Sequence, residues 1–231
     1  IYRYTGAGNV NTAASNMYYP NLKFESTSGP YNWSTSTTAL TGAAGGTMYV
    51  KGNLDIGTSG TGAVKVSYNN INVLPLQVAG NVSIGANSEL SNISWDATTD
   101  AIHGNGTGID VKGNLTVNGT LTLTGGTAET GDLVFSGTTT QTVSGTGQYN
   151  LEDVKINNTG LGNVTINSSF GIPGTLSFDN IAAKLTLNTG DITLQSGAVR
   201  TANVGKVPSG STINYSGSGR FIVERYILTP R

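Results

Sequence analysis

Apolar and polar residues alternate almost without interruption over residues 109–126. Aliphatic side chains share one phase of the alternation, and hydroxyl, amide and charged side chains occupy the other. An extended chain with this pattern has one apolar and one polar face. Gly113 and Gly119 stand on the apolar phase beside asparagines, which indicates bends rather than buried positions. The stretch therefore predicts three short strands separated by two corners.

The same unit recurs along the chain. Aligned on its glycine, it appears at residues 50–56, 78–84, 111–117 and 172–178, with a shorter match at 143–146. The glycines at 52, 80, 113, 145 and 174 are 28 to 33 positions apart. Such a period is typical of solenoids and repeat arrays. The structural repeat positions are Gly52, Asn53, Gly80, Asn81, Gly113, Asn114 and Gly174.

A second half-motif, asparagine followed by an aliphatic residue, precedes the glycine motifs at residues 21–24, 70–73, 92–95 and 150–151. One coil is expected to hold both motifs. Stacked coils would pair their backbones and place like side chains on one another, and the corner asparagines could form an amide ladder.

We therefore predict an all-β fold, a parallel β-helix or β-solenoid with coils of about 30 residues. The crossover rule favours right-handed winding. No window shows helical periodicity. The alternative is a β-sandwich or an array of sandwiches, which also has short alternating strands but no reason to repeat a motif at this period.

Three segments follow from this pattern. Residues 47–219 carry the repeats, and residues 1–46 form an aromatic-rich N-terminal coil or cap. In residues 220–231 the charge density rises and both phases become apolar at first, which predicts an exit strand or a junction to a further module. The chain begins at Ile1 with no signal-peptide pattern, so we expect an internal or processed piece of a longer protein.

Composition narrows the function classes. Charged residues make up 11% of the chain, against roughly 25% in an ordinary domain. The formal net charge of −1 gives no electrostatic reason for binding nucleic acid or an anionic membrane. The absence of cysteine excludes disulfides and thiolate metal sites. No apolar run is long enough to predict a helical membrane span.

Catalytic chemistry has little support in the sequence. His103 is the single histidine, so neither a histidine-based metal site nor a convincing Ser-His-Asp triad can be assembled. No set of acidic residues forms a recognisable pair for sugar hydrolysis. Asp96 and Asp100 are calcium candidates because they supply oxygen ligands, although no periodic calcium-binding pattern accompanies them. We predict no catalytic residues and no cofactor.

Aromatic residues concentrate near the N-terminus, among them Tyr18, Tyr19, Tyr31 and Trp33. One interpretation is a cap whose rings close the end of a thin core. The other is an exposed platform that stacks on sugar rings, for which flat apolar faces are suited.

The Val-x-Gly-Asn-Leu strands, the Asn-Leu strands, the Leu-Thr-Leu-Thr-Gly-Gly stretch at 121–126 and the closing segment at 219–227 together resemble a family. They are similar to the large cell-surface and secreted repeat proteins of the Bacteroidota that the type IX secretion system exports. The resemblance covers residues 21–227, and the family's C-terminal secretion domain is not matched. It implies a segment of an adhesin-like protein, at the cell surface or released. The implied partners are surface polysaccharide, other cell-surface proteins and, during export, the secretion machinery.

These observations predict a non-catalytic structural or adhesive segment that acts as a rigid stalk or surface-binding spacer. Two alternatives stay open on the same fold. One is a polysaccharide-active enzyme, which requires a groove lined with acidic residues. The other is a carbohydrate-binding module, which requires the N-terminal aromatic rings to be exposed together.

Overall fold

The computed structural model describes residues 2–5, 16–26, 31–33, 47–59, 62–67, 76–92, 94–96, 101–103, 108–123, 133–159, 161–178, 182–194, 212–215 and 218–223. Within these ranges the chain forms short β-strands and no helix. In chain order the strands are β1 (Tyr2–Thr5), β2 (Asn16–Tyr19), β3 (Leu22–Glu25), β4 (Tyr31–Trp33), β5 (Thr47–Val50), β6 (Leu54–Ile56), β7 (Val64–Ser67), β8 (Leu76–Val78), β9 (Val82–Ile84), β10 (Glu89–Ser91), β11 (Ser94–Asp96), β12 (Ala101–His103), β13 (Ile109–Val111), β14 (Leu115–Val117), β15 (Thr120–Leu123), β16 (Leu133–Phe135), β17 (Gln141–Ser144), β18 (Gln148–Leu151), β19 (Val154–Ile156), β20 (Val164–Ile166), β21 (Phe170–Ile172), β22 (Leu176–Phe178), β23 (Lys184–Leu187), β24 (Ile192–Leu194), β25 (Thr212–Tyr215) and β26 (Phe221–Val223).

The strands form three long parallel walls. The first sheet has the order β2-β5-β8-β13-β16-β19-β22, and the second has β1-β3-β6-β9-β14-β17-β20-β23-β25. The third wall consists of β4-β7-β10-β15-β18. Strand β18 contacts β21, and β21-β24-β26 continue this wall. The chain visits the first, second and third walls in turn and then returns one level along the stack, so the fold is a parallel β-solenoid, as predicted.

The predicted unit at residues 109–126 is one such coil. Strands β13, β14 and β15 form its three sides, and the two glycines flank β14 at its corners. The inward positions repeat from coil to coil: Leu54 pairs with Val82, and Val82 pairs with Leu115. All three are buried to at least 99%, and full burial of one such side chain stabilises the fold by about 1.5–3 kcal/mol. The core is therefore a set of aliphatic columns along the stack.

The corner asparagines form the expected ladder. The backbone N–H of Asn53 donates to Oδ1 of Asn21 at 2.8 Å, and that of Asn81 donates to Oδ1 of Asn53 at 2.9 Å. The series continues from Asn114 to Asn81 at 2.8 Å and from Thr142 to Asn114 at 2.8 Å. Each side chain thus satisfies a backbone donor of the next coil, at the corner between the first and second walls.

The asparagine ladder also shows that the alignment of the repeat motifs was wrong in part. Asn21 lies in the same column as Asn53, so at this position the asparagine half-motif and the glycine motif are one structural feature. Gly52, Gly80 and Gly113 lie at the corner between the first and second walls, which we call the first corner. Gly174 lies between β21 and β22, at the corner that leads from the third wall back to the first. Placing Gly174 in the same repeat was therefore wrong.

Shorter coils explain the misplacement. Register partners are 28 to 33 residues apart from Leu22 to Val143, but Val143 and Ile166 are 23 apart, and Ile166 and Leu187 are 21 apart. An alignment that assumes a constant period of about 30 residues therefore moves from one corner to another once the coils become shorter. Where the Gly-Asn motif ends, the buried Gln141 replaces it: its Nε2 donates to the carbonyls of Val111 and Gly113 at 2.8 and 2.9 Å.

Candidate binding surfaces

An aromatic pair lies on the outer face of the first wall. Tyr18 of β2 and Tyr49 of β5 are in register, and their ring centroids are 5.9 Å apart in an edge-to-face arrangement. Lys51 Nζ lies 5.4 Å from the centroid of the Tyr18 ring. The Tyr18 side chain is 60% exposed. We call these three residues the tyrosine pair and its lysine; they offer an apolar ring and a cation to solvent.

This surface differs from the predicted platform. Tyr19 is buried with only 3% exposure, because neighbouring residues on a strand point to opposite faces. Tyr19 is therefore a core residue and not part of an exposed platform. Tyr31 and Trp33 belong to β4 in the third wall, and their side chains lie outside the described part. Tyr49 was not among the predicted platform residues, although its distance of 31 residues from Tyr18 falls within the repeat period.

A second surface is a polar groove of about 510 Å³ along the corner between the second and third walls. It crosses four successive coils. Its polar side chains come from strands of the second wall and from the corner turns: Thr58, Ser83, Asn87, Thr116, Asn118 and Thr146. We call it the corner groove.

Close approach of neighbouring coils makes this corner concave. A Cβ on Gly85 would overlap the carbonyl oxygen of Gly57 in the preceding coil, so no side chain can occupy this position. The turn that follows closes with a hydrogen bond of 3.1 Å from the Ser88 N–H to the Gly85 carbonyl. Asn87 adopts a φ of 60°, a left-handed conformation that asparagine tolerates better than most residues. The glycine column thus forms a floor without side chains.

A row of polar side chains borders the groove on the second wall. Lys23, Asp55 and Ser83 are in register across β3, β6 and β9. Burial raises the pKa of the Asp55 carboxyl above its usual value, while the charge of Lys23 and a hydrogen bond with Ser83 act in the opposite direction. The next step along the row brings Thr116 Oγ1 within 3.2 Å of Ser144 Oγ. Lys23 is also paired with Glu25 at 2.6 Å, so this border is acidic in net charge, and the lining of the groove is otherwise neutral.

Asp96, one of the two predicted calcium candidates, lies in a hairpin that the sequence did not predict. Strands β11 and β12 pair antiparallel, with Asp96 in register with Ala101 and Ser94 with His103. Asp100 is outside the described residues. Among the described residues, no group of three or more His, Cys, Asp or Glu side chains could hold a metal ion. Two described carboxylates each have a hydrogen-bond partner of their own: Asp110 accepts a hydrogen bond from Ser136 Oγ, and Asp153 accepts one from the Thr175 N–H.

The two surfaces offer different chemistry: the first has aromatic rings and a cation, and the second has hydroxyl and amide groups. No helix in the described part could cross a membrane. Comparison of the chain with protein-family models, with curated proteins and with solved structures found no match.

Proposed function

We propose that this chain is a non-catalytic structural and adhesive segment, a rigid spacer that holds or presents binding surfaces along its length. The observation that carries the proposal is the bonding between coils. Parallel ladders join successive strands throughout the first and second walls and, in the third wall, on either side of the junction between β18 and β21. The asparagine ladder joins coils at the corner between the first and second walls. Bending such a stack would separate both the ladders and the aliphatic columns, so stiffness follows from its construction.

The resemblance to Bacteroidota repeat proteins extends the proposal to a location. The segment would belong to an adhesin-like protein at the cell surface or released from it, and the type IX secretion system would export it. Its polar side chains are mainly short hydroxyl and amide groups, which suit a surface formed almost entirely by strands. Antibody labelling of intact, unpermeabilised source cells tests the location, since a protein retained inside would not be labelled.

Stiffness can be measured with spin labels, because the chain contains no cysteine. Gln77 and Ser177 occupy one outward column of the first wall, linked through Asp110, Val134 and Lys155. Four strand spacings separate them, or about 19 Å. Labels on Gln77→Cys and Ser177→Cys should give a narrow distance distribution centred near the backbone value. A broad distribution would contradict a rigid spacer.

A carbohydrate-binding module is the second candidate, favoured by the exposed Tyr18 ring and the cation of Lys51 beside it. Aromatic faces stack on the apolar faces of sugars, and a lysine can pair with an acidic sugar. Tyr18→Ala should then weaken binding of an acidic oligosaccharide, whereas Leu161→Ala, which alters another exposed apolar side chain, should leave binding unchanged. Equal binding by both variants and the parent chain would remove the tyrosine pair from the binding role.

A further inference from the structure

The corner groove runs along the stack rather than across it. Its lining passes from Thr58 through Ser83 and Thr116 to Thr146, one coil at a time. Three strand spacings separate the first of these coils from the fourth, or about 14 Å. The groove has a volume of about 510 Å³ over this length, so it is long and narrow. The shape suits a linear polymer better than a single small ring.

The polar side chains of the lining both donate and accept hydrogen bonds. Each threonine hydroxyl does both, and an asparagine side chain supplies one carbonyl oxygen and two N–H donors. Asn118 already uses its Oδ1 to accept a hydrogen bond of 3.3 Å from the Thr146 N–H. Its amide nitrogen is therefore the group that can donate outward. Neighbouring hydroxyl groups on a sugar are complementary to such a surface, because they too donate and accept.

An extended peptide is a poor ligand for the groove, because the backbone donors of its glycine floor are already used. The N–H of Gly57 donates to the Phe24 carbonyl at 2.8 Å, and that of Gly85 donates to the Ile56 carbonyl at 2.7 Å. An extended peptide would need unpaired backbone groups to join as a further strand. The ladder between coils already uses these donors, so the groove offers a ligand mainly its side chains.

Charge and polarity select among the remaining ligands. No lysine or arginine is among the described lining residues, so phosphate groups of a nucleic acid would lack cationic partners. The carboxylate of Asp55, joined to Ser83, would repel an anionic glycan at the groove border. Hydroxyls and amides dominate the lining, which gives a lipid chain little apolar contact.

We propose that the corner groove binds a neutral linear polysaccharide, with the sugar chain parallel to the axis of the solenoid. This deepens the adhesive part of the proposed function by naming its ligand class, and it rests on that function for its biological role. Because successive coils present Ser83 and Thr116 at one strand spacing, successive sugars would meet similar hydroxyl groups.

Binding of neutral hexasaccharides tests the proposal. Isothermal titration with β-1,4-glucan, β-1,3-glucan and β-1,4-mannan oligomers, beside a uronic acid oligomer of equal length, should show binding of at least one neutral glycan and weaker binding of the acidic one. Thr116→Val removes one lining hydroxyl and should weaken binding about three- to tenfold, the equivalent of one hydrogen bond. Thr193→Val is the matched control, since Thr193 is a mid-strand residue of β24 outside the groove.

A second variant blocks the groove without removing a hydrogen bond. Ala86 is an exposed lining residue, and Ala86→Trp should abolish glycan binding while the circular dichroism spectrum stays that of the parent. The proposal is overturned if no neutral glycan binds, if the acidic oligomer binds best to the Tyr18→Ala variant, or if Ala86→Trp and Thr116→Val bind as the parent does. Loss of binding in Tyr18→Ala alone would place the site at the tyrosine pair. A narrow spin-label distribution together with absent glycan binding would overturn this inference and leave the rigid spacer intact.

Discussion

The backbone N–H of Asn114 donates a hydrogen bond of 2.8 Å to the side-chain oxygen of Asn81, 33 residues earlier in the chain. The two residues occupy the same corner of successive coils. At this corner the chain leaves the first wall for the second, so Asn114 lies between β13 and β14 and its N–H is outside both strand ladders. The asparagine side chain supplies the acceptor that a neighbouring strand would otherwise provide.

Replacing Asn81 by alanine should therefore weaken this corner locally. The Asn114 N–H would lose its acceptor, and the fold should lose about 1 kcal/mol of unfolding free energy. Urea denaturation measures the loss, and hydrogen exchange should show faster exchange at the Asn114 amide. Asn81→Asp is the control because it keeps an acceptor oxygen, and its Asn114 amide should stay protected. Equal protection in the parent and Asn81→Ala would show that the ladder does not hold the corner.

A second prediction concerns Gly80, at the same corner. A Cβ at this position would lie 2.6 Å from the carbonyl carbon and oxygen of Gly52, and backbone atoms cannot move aside as a flexible side chain can. Gly80→Ala should cost about 1–3 kcal/mol, the range for forced overpacking. Gly162→Ala is a milder comparison, since its Cβ would lie 2.9 Å from the carbonyl oxygens of Gly137 and Thr159. Thermal denaturation should rank Gly80→Ala below Gly162→Ala, and the reverse order would contradict the close packing of the first corner.

The raised pKa of Asp55 predicts that the stability of the fold depends on pH. Burial is the largest influence and raises the pKa of its carboxyl above the ordinary value of 3.8. The folded state therefore binds a proton more readily than the unfolded state, and stability falls as pH rises from 3.8 through the raised pKa. Above that pKa the cost of the buried charge is fully present. Asp55→Asn should be more stable than the parent at neutral pH, with the difference disappearing below 3.8.

Ser83→Ala provides the opposing variant for this titration. The hydrogen bond with Ser83 lowers the pKa of Asp55, so its removal should raise that pKa further and widen the pH range over which stability falls. Urea midpoints measured across acidic and neutral pH give both results. A parent chain that gains stability with rising pH in this range, relative to Asp55→Asn, would contradict the assigned direction.

Much of the fold could be predicted from the alternation of side chains. Residues 109–126 predicted β13, β14 and β15 with their corners, and the asparagines beside Gly52 and Gly80 predicted the ladder. Alternation is a local property of a strand with one buried face, so it survives in the sequence. The sequence does not record which corner a glycine occupies, because a valine or isoleucine two residues before the glycine and a small polar residue after it occur at all three corners. Gly174 was misplaced for this reason.

The candidate surfaces were harder to predict because they depend on register between coils. Tyr18 and Tyr49 come together only when residues 31 positions apart are paired. The corner groove combines side chains from four coils, and its glycine floor has the same composition as an ordinary turn. The β11–β12 hairpin was missed since its residues sit within a connection of variable length.

Deletion of residues 53–80 tests the central claim, that the segment is a rigid stack of interchangeable coils. The deletion joins Gly52 to Asn81, restores a Gly-Asn corner and removes one coil, because Leu54 and Val82 are register partners. Spin labels on Tyr49→Cys and Ser177→Cys, separated by five strand spacings in the parent, should move closer by one spacing of about 5 Å and keep a narrow distribution. Deleting residues 53–66 removes half a coil and should abolish the fold. A broad distribution or an unfolded product after the 53–80 deletion would contradict the account.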